Sequence, residues 1–495
     1  MKIKIQLFEK DAKASPFQIL LVEKETLLGS LLPQDKSVWE PLVKKTLAGQ
    51  TKKTLNRDSE IFWIGDRGLL VSQLPKKKGL NRLECLRLAT GSALEAATSR
   101  SLPRFSIVLN LSGREEIRAV MEGLFYADYD FSKYKSENKD SAKNKTDIEA
   151  TLLVKAADYK KAQSLLTEIS AVFGQMKNLR DLVNEPGSAL TPPLFAQYAS
   201  TLGRELGLKV TVRDEKQLRK EGFTGLWTVG KGSDHPPRMV TLEYNGAKKS
   251  RSKNHLCIVG KGVTFDTGGL SLKPSAGMWE MKCDMAGAAT ALAGVCAVAA
   301  LKLPVRVSAV LCLAENRPGN AAVLPGDIFK AKNGKTVMVD NTDAEGRLVL
   351  SDGLFEAGAL KASHIIDIAT LTGAVVRALG PSVAGLFSND EDFGAAIKKL
   401  GGQADEKFWE LPMEEEYHPW LDDPTADIRN VTSKPEAGAI TAALFLSEFV
   451  PEGAKWSHWD VAGTAFTTSP WKYFKPGATG FGLKTLVEIA RHLAV

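Results

Sequence analysis

The stretch LCIVGKGVTFDTGG, residues 256–269, opens with an apolar run and ends in a glycine-rich segment that carries Asp266. An apolar run without alternation is typical of a strand buried on both faces, as in a parallel sheet covered by helices. Two further runs, 305–313 and 365–368, have the same character. The sequence therefore predicts a parallel sheet whose ligands bind beyond the carboxyl ends of its strands.

Helical patterns separate these strands, at residues 286–300, 348–360 and 393–400. Strands that alternate with helices predict an α/β fold, in which helices cover both faces of the sheet. We therefore assign residues 184–495 to a large, doubly wound α/β catalytic domain.

The first third of the chain has shorter apolar strands, at residues 17–22, 61–64, 105–109 and 152–154. They predict a small N-terminal α/β domain over residues 1–165, with an accessory or oligomerisation role. A helical period then covers residues 158–183 and ends before the breaker cluster Asn184-Glu185-Pro186-Gly187. Residues 166–183 of this long helix are predicted to link the two domains.

Length and composition are those of a soluble globular protein with two domains, because 495 residues exceed the size at which one core keeps growing. The net charge of +7 is a mild bias over this length. The isoelectric point of about 8.9 and the lysine clusters 52–53 and 76–78 leave nucleic-acid binding open without supporting it. Residues 132–147 are polar and rich in lysine, which predicts a surface loop.

The chain also carries hints of its compartment. Its cysteines are few, odd in number and mostly set in apolar runs, which favours reduced core thiols in the cytoplasm: Cys85, Cys257, Cys283, Cys296 and Cys312. Residues 1–7 alternate like a strand and lack the apolar stretch of a signal peptide. The most apolar stretch, 286–301, is rich in alanine and glycine and falls short of a membrane span. We therefore expect a cytoplasmic protein without a membrane segment.

A second charged stretch, NTDAEGRL at residues 341–348, follows the apolar run 336–339. Its carboxylates, Asp343 and Glu345, join Asp266 and Asp284 to make four acids near strand ends. Two divalent cations close together need bridging carboxylates that balance four positive charges, and oxygen ligands suit Mn²⁺, Mg²⁺ or Zn²⁺. No His-Glu-x-x-His pair occurs in the sequence, which excludes a zinc site of the thermolysin type.

Plainer interpretations of the same residues stay open at this point. Asp284 could serve as the N-cap of a helix that begins near Met285. Lys261 and Lys273 could be solvated, or one could become a neutral metal ligand while the other stabilises an oxyanion. The Gly-Lys-Gly of residues 260–262 is a weak match to a phosphate loop, since neither phosphate-binding glycine motif is complete.

Nucleophilic catalysis by serine or cysteine has less support. There is no Gly-x-Ser-x-Gly motif, and Cys283 has no histidine near it in the sequence.

Taken together, Asn341 to Leu348, Lys261 to Lys273 and Asp284 resemble the leucyl aminopeptidase family of cytosolic, hexameric two-zinc exopeptidases. Further segments similar to the family occur throughout residues 180–495, at Asn184 to Pro192, Thr370 to Ala374, Gly438 to Ala443 and Asp460 to Ala465. The N-terminal domain resembles the family only loosely.

The resemblance implies roles for individual residues. Asp266 and Glu345 would bridge two divalent ions, Zn²⁺ or Mn²⁺. Lys261 and Asp284 would complete the ligands of one ion, and Asp343 those of the other.

The same resemblance implies the catalytic groups. A water between the two ions would attack the peptide, Lys273 would polarise the scissile carbonyl, and Arg347 would bind a bicarbonate ion that acts as the general base. One metal would take the free α-amino group of the peptide substrate, which limits cleavage to the first residue.

By the same resemblance, the pocket for the first side chain would be lined by small or apolar residues, which favours leucine-like substrates: Met281, Thr370, Leu371, Gly373, Ala462 and Ala465. The assembly implied is a homohexamer, built as a dimer of trimers. Two departures from the family pattern, Ser188 and Thr267, touch none of the proposed ligands and are expected only to tune the site.

Overall fold

The protein is represented by a computed structural model, which describes residues 1–7, 17–22, 39, 59–64, 67–74, 80–102, 104–108, 113–136, 148–247 and 252–495. The lysine clusters 52–53 and 76–78, and residues 137–147 of the expected surface loop, lie outside these ranges. The chain forms two compact units, one of Met1–Phe173 with Pro470–Lys475 and one of Gly174–Ser469 with Pro476–Val495.

In the described ranges of the first unit, the strands form a sheet in the order β1-β6-β5-β2-β4-β3. Its strands are Lys2–Leu7 (β1), Phe17–Val22 (β2), Ser59–Ile64 (β3), Arg67–Gln73 (β4), Arg104–Val108 (β5) and Glu149–Val154 (β6). All neighbours pair in parallel except β3 and β4. Two helices, Arg82–Thr98 (α1) and Arg114–Asp128 (α2), pack against each other in this unit.

A long helix, Tyr159–Asn184 (α3), follows the short 3₁₀ turn Ala156–Asp158. It agrees within one residue at each end with the helix predicted over residues 158–183. The division between the two units falls inside it, after Phe173. The separate roles assigned to residues 1–165, 166–183 and 184–495 stay predictions.

The second unit is built on a sheet in the order β15-β14-β17-β13-β9-β10-β8-β7. The strands of this unit are Lys209–Arg213 (β7), Arg238–Asn245 (β8), His255–Asp266 (β9), Arg306–Asn316 (β10), Ile328–Lys330 (β11), Thr336–Met338 (β12), His364–Ala369 (β13), Ala384–Ser388 (β14), Phe408–Glu410 (β15), Ile428–Arg429 (β16), Lys455–Asp460 (β17), Phe466–Thr467 (β18) and Gly477–Ala478 (β19). The central strands β17, β13, β9 and β10 are parallel, as predicted.

Helices surround this sheet: Pro192–Glu205 (α4), Glu215–Glu221 (α5), Thr224–Gly230 (α6), Ala286–Ala300 (α7), Gly346–Ala359 (α8), Gly373–Leu379 (α9), Glu391–Gln403 (α10), Gly438–Ser447 (α11) and Leu483–Leu493 (α12). Two further 3₁₀ segments are Met278–Cys283 and Glu415–Leu421.

Consecutive residues of β9 face opposite sides of the sheet, and each side is covered by a helix. A Cβ built on Gly353 of α8 would lie 2.4 Å from Val259, whereas one built on Gly260 would lie 2.4 Å from the Cα of Ala288 in α7. Because helices close both faces, the unit is doubly wound, and the predicted fold class is confirmed.

The interior explains the apolar segments of the sequence. Met278–Ala300 is long and apolar enough to cross a membrane by length and composition, but 94% of its most apolar window is buried inside the fold. All five cysteines are free and buried, as expected from their apolar surroundings. Burial raises the pKa of the Cys283 and Cys296 thiols to about 12, so they stay protonated at neutral pH.

Candidate metal centre

Strand β9 is longer than its neighbour β13, and this difference creates the site. The last pair between the two strands is Ile368 with Gly260, so β9 continues alone on that side from Lys261 to Asp266. Where β13 ends, the chain turns away, and the ammonium of Lys261 donates a hydrogen bond of 2.9 Å to the carbonyl of Thr370. The site therefore begins at the carboxyl edge of the sheet, as predicted.

Lys261 is buried and lies between two carboxylates. Its ammonium is 2.7 Å from Asp284 and 2.8 Å from Glu345. Burial alone would lower the pKa of this amine, but the two carboxylates outweigh it and raise the pKa above the ordinary value. Three residues that are far apart in the sequence, and that the sequence assigned to one metal cluster, are thus in contact.

The remaining acids form a second contact group around Lys273. Its ammonium is 2.9 Å from Asp266 and also contacts Asp343. Ligand atoms of Asp266, Asp343 and Glu345 all lie within 4.8 Å of one another, close enough to hold a metal ion. The structure therefore brings all four predicted carboxylates and both lysines into one cluster.

Asp284 does not cap a helix. The N-cap position of α7 is Met285, which makes no side-chain capping bond. The Asp284 carboxylate instead accepts a hydrogen bond of 2.8 Å from the hydroxyl of Thr370, in addition to its contact with Lys261. The capping interpretation left open by the sequence is wrong, because the side chain faces the cluster.

The donor set fits divalent cations. Four carboxylates face two ammonium groups, and Oδ2 of Asp284 and Oε2 of Glu345 are buried without a hydrogen-bond donor among the residues that the structure describes. Burial raises the pKa of the Asp284, Asp343 and Glu345 carboxyls above their ordinary values. Buried acids that lack enough positive charge and enough donors are expected where a metal ion supplies both.

Polar residues that the sequence analysis missed hold these carboxylates in place. Asn316, at the end of β10, donates 2.8 Å to Asp266 and 3.0 Å to the carbonyl of Thr342. The amide of Gly268 donates a further bond of 2.8 Å to Asp266. The available signal for Asn316 was its position three residues after the apolar run 305–313, beside Glu315.

Arg347 lies in the first turn of α8, two residues after Glu345, and is buried. One guanidinium nitrogen donates 2.6 Å to the carbonyl of Asn430, while its Nε has no acceptor within the described part of the chain. Burial lowers the pKa of the Arg347 guanidinium to about 10. The side chain remains a cation at neutral pH, and its free donor is available to an anion.

Asn430 is a second residue that the sequence did not reveal. Its side-chain oxygen accepts from the amides of Asp340 and Asn341, at 2.9 and 3.3 Å. Its side-chain nitrogen donates 2.7 Å to the carbonyl of Asn341. One asparagine therefore fixes both the start of the Asp343 loop and, through its own carbonyl, the guanidinium of Arg347.

Hydrogen bonds bring together only some of the residues predicted to line the pocket. The carboxylate of Asp460, at the end of β17, accepts from the amides of Leu371 and Ala462 at 3.1 and 3.2 Å, and from the hydroxyl of Thr372 at 2.6 Å. Thr370 reaches the metal cluster through Asp284 and Lys261. The sequence indicated Asp460 only as part of a segment similar to the family, although this residue too lies at a strand end.

The other three pocket residues lie on neighbouring segments. Met281 is half-buried in the 3₁₀ segment, and the amide of Asp284 donates 3.3 Å to its carbonyl. Gly373 is exposed at the start of α9, and Ala465 is buried after Asp460. Their role as one pocket stays a prediction.

A doubly wound α/β unit with clustered carboxylates and lysines at the carboxyl edge of its sheet fits the class of carboxylate-held metalloenzymes. Residues 177–487 match the model of the cytosol aminopeptidase family, catalytic domain. The chain belongs to this family, and family membership makes it a metal-dependent aminopeptidase, a hydrolase that acts on peptides.

Similar proteins cover both units of the chain. It is 42% identical over 487 residues to a probable cytosol aminopeptidase of Acidobacterium capsulatum, covering 97% of this chain and 93% of the relative. Identity to a probable cytosol aminopeptidase of Geobacter sulfurreducens is 40% over 493 residues, covering 97% of each. Among solved structures, the bottromycin maturation enzyme BotP in complex with Mn has a TM-score of 0.83 and 30% identity, covering 97% of this chain and 100% of that one.

Proposed function

We propose that this aminopeptidase releases leucine-like residues from the N-termini of cytoplasmic peptides, at a centre that holds two divalent metal ions. The cluster of Lys261, Asp266, Asp284, Asp343 and Glu345 carries this proposal, because its unpaired buried oxygens fit cations. Bound metal would supply a Lewis acid and an activated water there. Mn²⁺ is favoured by the name of the similar BotP complex, and Zn²⁺ by the sequence resemblance.

Lys273 is proposed as the group that stabilises the oxyanion. Burial alone would lower the pKa of its amine, but Asp266 and Asp343 outweigh it and raise the pKa above the ordinary value. The side chain is therefore a permanent cation at neutral pH. A positive charge fixed beside the reacting carbonyl stabilises the negative charge that develops on it.

Arg347 is proposed to hold a bicarbonate ion that accepts a proton during the reaction. The buried guanidinium with an unpaired Nε is a suitable anion site in a place with little solvent. The general base would then be an exchangeable anion, since no histidine is among the residues that contact the cluster in the described part of the chain.

The decisive experiment compares metal-stripped protein with the same protein refilled with Zn²⁺ or Mn²⁺, using leucine p-nitroanilide. Activity should vanish with the chelator and return with metal, and the better ion identifies the preferred cofactor. Asp343→Asn should abolish turnover while its circular dichroism stays that of the wild type. Asp340→Asn is the matched control, since Asp340 is exposed in the same loop and is bonded to Arg429 outside the cluster.

Full activity of Asp343→Asn would overturn the assignment of the cluster. Bicarbonate is tested separately in buffer freed of carbon dioxide, where added bicarbonate should stimulate the wild type but not Arg347→Ala. Arg204→Ala, at an exposed position in the last turn of α4, should respond like the wild type.

A homohexamer is proposed from the family resemblance alone. Light scattering coupled to size-exclusion chromatography should then give six times the chain mass of 53.6 kDa. A monomeric mass with full activity would remove this part of the proposal.

A further inference from the structure

The 3₁₀ segment Met278–Cys283 places a large exposed aromatic side chain next to the site. Trp279 is 58% exposed, although tryptophan is usually highly buried. In a 3₁₀ helix, residues three apart lie on the same side, so Trp279 shares a side with Lys282. Both side chains contact one partner, the ring of Phe466.

The contacts with Phe466 have defined geometry. The rings of Trp279 and Phe466 are 6.2 Å apart at 71°, an edge-to-face pair. The ammonium of Lys282 lies 6.0 Å from the centre of the Phe466 ring and donates 3.1 Å to the carbonyl of Asn184. Trp279 is therefore held by a partner ring while most of its surface remains open to a ligand.

Phe466 itself stands on a supported element. It lies in β18, which pairs with β19 through Ala478. The amide of Ala478 donates 3.0 Å to the side chain of Asn184, and its carbonyl accepts 2.8 Å from the buried guanidinium of Arg180. The end of α3 thus fixes the strand pair that presents Phe466.

The aromatic pair is close in sequence to a proposed metal ligand and to the proposed pocket. Trp279 comes two residues before Met281 and five before Asp284, and Phe466 directly follows Ala465. Met281 and Ala465 are both members of the proposed pocket for the first side chain. Each member of the aromatic pair is therefore within two residues, along the chain, of a residue of the proposed pocket.

We propose that Trp279 and Phe466 form an aromatic rim that binds the outer part of a large apolar first side chain of the substrate, and so extends the preference from leucine to phenylalanine and tryptophan. This inference rests on the proposed function, because it assigns the rim to the same pocket. Small residues inside the pocket, such as Ala465, leave room for a ring to reach the rim. Contact between the substrate ring and the rim then favours the binding of substrates with an aromatic first residue over those with alanine.

The test uses metal-loaded enzyme and amino acid amides, which vary the first residue and carry no second side chain. In Trp279→Ala, the ratio of kcat/KM for phenylalanine amide to that for alanine amide should fall by about 3- to 10-fold, the range expected for one aromatic contact. Trp279→Phe should restore most of the ratio. Trp409→Ala is the matched control, because Trp409 is 63% exposed on the short strand β15.

Dipeptides of the form alanine-X vary the second residue instead. If Trp279→Ala changes selectivity in this series and not among the amides, the rim binds the second side chain and the inference is wrong. An equal loss of kcat/KM for all amides in Trp279→Ala would likewise overturn the inference, because it would show that Trp279 has a structural role. A wild-type enzyme that cleaves no amide with any metal would overturn the proposed function itself, whereas wild-type cleavage with an unchanged ratio in Trp279→Ala would overturn only the rim.

Discussion

The side-chain amide of Asn316 donates a hydrogen bond of 2.8 Å to Oδ1 of Asp266. Its second bond, of 3.0 Å, goes to the carbonyl of Thr342, in the loop that carries Asp343 and Glu345. Asn316 therefore joins the end of β9 to the second acidic segment. It orients one proposed metal ligand and sets the distance between the two sources of ligands.

Asn316→Ala should weaken metal binding by about 10- to 100-fold, as is typical when a partner that orients a ligand is removed. Calorimetric titration of stripped protein with Mn²⁺ measures this. Asn389→Ala is the matched control, because Asn389 also bonds two backbone groups, at Ala454 and Trp456, outside the cluster. Equal metal affinity in the two variants would contradict a positioning role for Asn316.

Metal removal should also lower the melting temperature. Without cations, the four carboxylates of the cluster are paired with two ammonium groups, those of Lys261 and Lys273, and two buried oxygens lack hydrogen-bond donors among the described residues. A metal at a hundredfold excess over its Kd stabilises the folded state by about 2.7 kcal/mol. Differential scanning calorimetry with and without chelator should show a fall of several degrees, and Asp343→Asn should show a smaller one. If chelator does not change the melting temperature of the wild type, the cluster is not a metal site that stabilises the fold.

The buried strands and long helices could be predicted because hydropathy and period record them directly. The end of the central strand could not be predicted in this way. The apolar run that begins at Leu256 ends at Val259, whereas β9 continues to Asp266, because Gly260 to Val263 and, after a register shift, Asp266 pair with β10. Lys261 and Asp266 are polar strand residues that only the site explains.

The metal cluster could be predicted from the joint occurrence of its acids, but its supports could not. Asn316 and Asn430 are ordinary residues for loops and strand ends. The partners of Asn316 lie 50 and 26 residues away, and those of Asn430 lie 83 or more residues away. The segment Pro470–Lys475 was missed for the same reason. It belongs to the first unit through contacts such as Tyr473 with Tyr126, whose rings stack at 4.4 Å.

Asp352 should make stability depend on pH. It is buried on α8, its carboxylate accepts 2.8 Å from the amide of Leu226, and burial raises the pKa of its carboxyl to about 8. The folded pKa lies above the ordinary value of 3.8, so the folded state binds this proton more tightly. Its stabilising contribution is therefore complete below about pH 4 and is lost as the pH rises through about 8.

Asp352→Asn removes the charge and keeps an acceptor for Leu226. The melting temperature of this variant, relative to the wild type, should rise between about pH 5 and pH 9, because only the wild type loses stability there. Asp392→Asn, exposed in the first turn of α10, should show no such trend. A difference that is constant with pH would contradict the raised pKa of Asp352.

The glycines of the Gly-Lys-Gly segment should prove to be packing residues. A Cβ on Gly260 would lie 2.4 Å from Cα and 2.6 Å from the amide nitrogen of Ala288, so the backbone of α7 would have to move. Gly260→Ala should therefore lower the free energy of unfolding by about 1–3 kcal/mol or more. Gly402→Ala, in α10 with nothing within 4 Å of the new methyl group, should instead raise it by about 0.5–1 kcal/mol. Urea denaturation measures the free energy of unfolding of both variants. A decrease for Gly260→Ala with an increase for Gly402→Ala would show that position 260 requires glycine because β9 and α7 are in close contact, and not because it binds phosphate. Changes of the same sign would contradict this.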